Sequence, residues 1–232
     1  MNGTLKKVLT WFVFPVIIVL LVIAIVSSIL KPVNFNKETE ARKAVAIQQM
    51  KDIRTLEVAY KSATGHYTAI ADSLIDFYNN GQMAIVMQIG SADDSLAMAH
   101  TEALKKAARG KMTGADLYKL YLAGDKNLVF AVENKIPVKD TLFASREGFN
   151  VANIKYIPFS EGDTVIMDAI VKMVSGVQVP LFEAKMPYRS LLKGMDNQLR
   201  INLDAEQRAM NRYEGLQVGS ITAPNNNAGN WE

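Results

Sequence analysis

The sequence predicts an α+β protein mounted on a membrane helix. The expected order is an N-terminal transmembrane helix, a second polar, amphipathic helix, a helical N-terminal half, and a mainly antiparallel sheet in the C-terminal half. Three observations carry this expectation. No charge interrupts Val8 to Leu30, apolar residues recur at helical spacing between about 36 and 122, and from about 127 the segments become rich in Val, Ile and Phe.

The run VLTWFVFPVIIVLLVIAIVSSIL at 8–30 has 23 uncharged residues, enough at a helical rise of about 1.5 Å per residue to cross a hydrocarbon core of about 30 Å. It exceeds the apolar length of a cleaved signal, and the small residues at Ser27 and Ser28 make a poor cleavage site. Lys6 and Lys7 precede it, which predicts a cytoplasmic segment 1–7 and an exported C-terminal region. Lys31-Pro32 predicts a break over 31–35, because proline lacks an amide donor and its predecessor resists helical geometry.

An exported α+β domain is expected over 36–224, followed by a polar tail at 225–232. Its first helix should run from an Asn36 cap, with Glu38 and Glu40 in the first turn, to a stop at Gly65. Val45, Met50, Ile53, Leu56, Tyr60 and Ala63 form its apolar stripe, while Lys43, Lys51, Asp52, Arg54, Glu57 and Lys61 are expected on other faces. Met50, Ile53, Leu56 and Tyr60 are thus a packing or partner face, and Gly65 and Tyr67 form the helix stop and the turn after it.

Asp72 or Ser73 caps a short helix ending at Asn79-Asn80-Gly81, and MAIVMQIG at 83–90 reads as a strand or a helix extension. Asp93 and Asp94 open a helix whose last turn holds Lys105, Lys106 and Arg109, and 113–125 forms another. Three β-rich segments follow, NLVFAVENKIPVKDTLF, NIKYIPFS and TVIMDAIVKMVSGVQVPLFEAKM, the last folded at Ser175-Gly176. PYRSLLKGM predicts a helical turn, NQLRINL a strand, DAEQRAM a short helix and LQVGSIT a last strand.

Composition and motifs argue against most chemistries. With Lys6 and Lys7 set aside, 24 basic residues face 23 acidic ones, so no nucleic-acid partner is expected. The absence of cysteine excludes disulfides, a thiol nucleophile, thiolate metal sites and a lipid-modified cysteine. His66 and His100 are the two histidines, and neither has metal-ligand spacing. His100 and Glu102, two apart on a helix, point in different directions, and RGKMTG at 109–114 has Lys105 where a phosphate loop needs its first glycine. Asp93-Asp94 reads as a helix-start charge pair. No catalytic, metal or cofactor-binding residue is expected, and the protein is read as a non-enzyme without cofactors.

The segment 36–78, with AYKSATGHYT followed by DSLIDFY, resembles the N-terminal part of type IV pilins and type II secretion pseudopilins, with Tyr60, Gly65, Tyr67 and Leu74 in comparable positions. The chain lacks their glycine before a methylatable Phe or Met, and it lacks a glutamate five residues into the apolar run. Across its length, in KDIRTLEVAYKS, KYIPFSEGD, NQLRINL and NNNAGNWE, it resembles an uncharacterised family of single-pass envelope proteins of Bacteroidota. That resemblance implies a Gram-negative inner-membrane setting. Together with Lys6 and Lys7 the expected topology is an N-terminus in the cytoplasm and a periplasmic domain, with the lipid bilayer and envelope proteins as partners, and the sequence leaves the oligomeric state open. The expected function is a membrane-anchored scaffold or assembly component. The alternatives are a pilin-like filament subunit and a membrane-tethered sensor or enzyme.

Overall fold

The computed structural model describes residues 9–232; the expected cytoplasmic segment 1–7, with Lys6 and Lys7, and Val8 lie outside the described residues. A π-helical turn at Leu9–Val13 leads into one uninterrupted helix, α1, Phe14–Thr64. The break expected at 31–35 is absent, since Pro32 lies inside the helix and Asn36 is an exposed mid-helix residue rather than a cap. Proline removes one backbone bond and crowds the carbonyl four residues earlier. That penalty is local, and the buried residues that begin at Phe35 hold the helix on its C-terminal side.

α1 changes character along its length. Every Val, Ile and Leu from Val16 to Leu30 is exposed, and this part is long and apolar enough to cross a membrane. From Phe35 one face is buried, through Thr39, Ala46, Met50 and Ile53 to Leu56, Glu57 and Ala59. The expected stripe is therefore corrected at both margins: Val45 and Ala63 are exposed, and Asp52 and Glu57, placed on polar faces, are buried.

The fold is α+β, but residues 36–224, read as one domain, fall into two compact units. One comprises the chain up to Arg54 together with Asn153–Glu232, and the other is Thr55–Ala152. In the second unit, α1 ends at Gly65, whose φ of +86° is the left-handed geometry that a side chain disfavours, with its amide donating to Lys61 O at 2.8 Å. Next come α2 (Ala71–Asn80), β1 (Gln82–Ile89), α3 (Ser95–Ala107), α4 (Gly114–Leu122), β2 (Phe130–Pro137) and α5 (Val138–Thr141). MAIVMQIG thus takes the strand alternative, and β1 pairs antiparallel with β2.

Caps place these helices. Asp94 accepts the Ala97 amide at the start of α3, and Thr113 and Asp116 form a reciprocal capping box on α4. Leu117, Leu128, Phe130 and Val132 make one core cluster, and Ala59, Phe77 and Val138 make another.

The first unit is built from α1 and the C-terminal chain. A 3-10 turn at Val151–Lys155 precedes β3 (Ile166–Val174), β4 (Val177–Pro187), α6 (Tyr188–Leu191), α7 (Asn197–Ala209) and β5 (Gly215–Gly219). The sheet order is β3-β4-β5, all antiparallel. Ser175 and Gly176, both at positive φ, form the tight turn expected between β3 and β4.

NQLRINL, expected as a strand, is instead the first half of α7. Asp196 caps it by accepting the amides of Gln198 and Leu199, and Gln198 to Asn202 and Arg200 to Asp204 are bonded four residues apart. These helix-specific pairs override the alternating apolar pattern. The tail 225–232 is folded too, since Gly229 bridges Val218 and Asn230 exchanges bonds with Gln217.

Ile53→Ala should lower the melting temperature of the detergent-solubilised chain by about 5–15 °C, by emptying part of a closed core. Val45→Ala, on the exposed face, should shift it by less than about 2 °C.

Candidate functional site

The three-stranded sheet has two edges, and the chain treats them differently. β5 is covered by the tail: Gly219 N donates to Ala228 O at 3.0 Å, Asn230 N to Gln217 O at 2.9 Å, and Asn230 Nδ2 to Gly215 O at 2.9 Å. β3 has β4 on one side, and among the described residues no strand pairs its other edge; just before it Thr164 bridges Tyr156. A row of unpaired amides and carbonyls is a template for another strand, which is why folded proteins usually cover or blunt it.

The β3–β4 hairpin is also apolar beyond the core. Near its base Leu181, Phe182, Ala184 and Met186 are buried, whereas near the turn Val171 is 58% exposed, Met173 61% and Val177 64%. Alternation puts Ile166, Asp168, Ile170 and Lys172 on one face of β3, and Met167, Ala169, Val171 and Met173 on the other. Both faces therefore present apolar side chains to solvent, the kind of patch that marks an interaction surface.

The face anticipated on α1 is not that surface. Met50, Ile53 and Leu56 are fully buried and Tyr60 is half-buried, packed edge-on to Phe77 with ring centroids 5.3 Å apart. Gly65 stops the helix, and Tyr67 is buried beneath the Lys61 ammonium, 4.9 Å from its ring centroid.

Glu57 lies on the same side of α1, seven residues after Met50 and four after Ile53, and is fully buried. Its Oε2 accepts the Thr68 amide at 3.1 Å, which ties the helix to the turn after Gly65, while Oε1 has no partner among the described residues. Burial pushes its carboxyl up to about 8, against a smaller lowering by the Thr68 amide. Helical periodicity carried this signal, although a carboxylate beside basic neighbours reads first as a solvated residue.

The two histidines lie elsewhere in the second unit. His100 Nε2 meets Asp125 Oδ2 at 2.8 Å, and this bond holds the Asp125 carboxyl below its usual range. His66 Nδ1 lies 3.1 Å from Tyr67 O. RGKMTG follows the end of α3 and runs to the first residue of α4, with Arg109 and Gly110 at positive φ. No group of three His, Cys, Asp or Glu suited to a metal occurs among the described residues.

A cleft of about 450 Å³ holds Arg189, Arg200 and Arg212 beside Asp204, Tyr213 and Glu214. Both of its carboxylates are already matched, Asp204 by Arg200 and Glu214 by Arg208. Burial raises the Asp204 carboxyl despite the Arg200 guanidinium.

In the unfolded chain the Glu57 carboxyl titrates near 4.5, so the folded state binds the extra proton between about pH 4.5 and 8, and its contribution to stability falls as pH rises through that window. Glu57→Gln should match the parent melting temperature near pH 5 and exceed it by on the order of 5–10 °C above pH 8. Compared with family models, with curated proteins and with solved structures, the chain matches none.

Proposed function

We propose that the protein is a membrane-anchored, non-enzymatic assembly component of a bacterial cell envelope. The single observation that supports this reading is the open β3 edge, apolar on both faces, in a sheet whose opposite edge the chain itself covers. In this reading the apolar part of α1 crosses the inner membrane with Lys6 and Lys7 on the cytoplasmic side, and both units lie in the periplasm. The β3–β4 hairpin then carries the contact with envelope proteins.

A photo-crosslinking residue at Val171, in cells expressing the full chain, should capture protein, while the same residue at Met50 should capture none. Labelling at Val171 confined to lipid overturns the assembly reading. A reporter fused after Glu232 should be active outside the cytoplasm only, and cytoplasmic activity overturns the topology.

The uninterrupted helix favours a second reading. With no break at Pro32, α1 is a continuous apolar-to-core spine of the kind a pilin-like filament subunit uses. N-terminal sequencing of the mature protein separates the two: a processed, modified terminus supports the filament, and an intact Met1 rejects it.

A further inference from the structure

We propose that the partner of β3 is the β3 of a second copy of this chain, paired antiparallel about Ile170, so that two three-stranded sheets become one continuous sheet. The inference rests on reading this edge as an assembly surface and names its occupant.

The charge pattern of the strand points to this partner. β3 reads Ile166, Met167, Asp168, Ala169, Ile170, Val171, Lys172, Met173, Val174, with two charged residues among nine. Laid antiparallel on itself about Ile170, it sets Ile166 against Val174, Met167 against Met173, Asp168 against Lys172 and Ala169 against Val171, with Ile170 against its own image. Both charges of each copy then face the opposite sign, on the same face as Ile170. No other register does this: displacement by one residue either way sets each charge against an apolar side chain, and centring on 168 or 172 opposes like charges. A charged edge strand normally repels a second strand. This one is complementary to itself in one register only, as a two-fold interface requires.

The neighbours of Asp168 strengthen the case. Across β4 it sits opposite Glu183, a like charge on the same face. Glu183 has its own partners in Lys185 and Gln217. Among the described residues Asp168 makes no ion pair; its Oδ1 accepts the adjacent Ala169 amide at 2.8 Å, a bond open to an edge amide with no strand beside it. The Lys172 ammonium of a second copy supplies the missing cation. Within its own chain Lys172 uses one donor, to Thr222 O, and an ammonium has three. The same pairing covers Val171 and Met173, which the unit's own core leaves exposed.

The chain has no cysteine, so Ile170→Cys introduces a single thiol. Residues directly opposite in an antiparallel pair have Cα atoms about 4.5–5.5 Å apart, within disulfide range. The two copies of Ile166 would lie roughly 27 Å apart, eight strand positions at about 3.4 Å each. Mild oxidation of the full chain in membranes should link I170C into a dimer on a non-reducing gel, at least about ten-fold more than I166C.

Adding D168K or K172D to I170C should each reduce the linked fraction roughly five- to ten-fold, because like charges then face each other. Co-expressing D168K/I170C with K172D/I170C, carrying tags of different size, should restore linkage as the mixed dimer. Equal linkage at 170 and 166, indifference to either charge change, or failure of the mixed pair to recover overturns the proposal. Photo-crosslinks from Val171 to other proteins without an I170C dimer keep the assembly reading and reject self-pairing, whereas lipid labelling alone rejects both.

Discussion

Gln49, midway along the buried part of α1, places its side-chain nitrogen within hydrogen-bond distance of the carbonyls of Asn153, Ile154 and Tyr156, at 2.9, 3.2 and 2.7 Å. A basic side chain on either side, Arg42 seven residues before and Arg54 five residues after, does the same work. Arg42 donates to Leu191 O and Lys193 O, and Arg54 to Asn227 O and to the carboxylate of Glu232. Three polar side chains of one helix thus satisfy carbonyls that strands leave unpaired at loops and turns. Between them lie Ala46, Met50 and Ile53, closed to solvent. The first unit depends on this arrangement, because its sheet has three strands and α1 contributes a fully buried face.

That dependence gives the tail its role. NNNAGNWE follows the last strand and returns along it, with Asn226 and Asn227 in left-handed geometry, until Glu232 reaches Arg54 at 2.7 Å. Its Asn230 side chain both accepts and donates at the β5 edge, where a run of apolar residues would expose a second open strand. Covering one edge of this sheet, while no strand among the described residues pairs the other, is an asymmetry, and within this sheet it leaves β3 as the open edge.

Glu57 sets a different constraint on the second unit. A fully buried carboxyl with one hydrogen bond is costly when ionised, and burial rather than a charged partner dominates its environment. Its bond to the Thr68 amide spans the Gly65-His66-Tyr67 turn, so the end of α1 is fixed both by the backbone of Gly65 and by a side chain two turns earlier.

The sequence by itself determined the apolar run before Lys31, the stop at Gly65, the acidic start of α3, the Ser175-Gly176 hairpin and the α+β class. Each depends on short-range chemistry: unbroken apolarity, a residue at positive φ, or carboxylates at a helix start. It also held the alternation of β3 and the opposite charges of Asp168 and Lys172. What tertiary structure decided is whatever depends on long-range partners. Pro32 stays helical because buried residues follow it, NQLRINL becomes α7 under the Asp196 cap and four-residue pairs, and the tail folds because β5 has an edge to receive it. The split into two units and the burial of Glu57 belong here too. Only the assembled sheet shows that, among the described residues, one edge of β3 has no paired strand, because a strand's position in a sheet is set by residues remote in sequence and not by its own alternation.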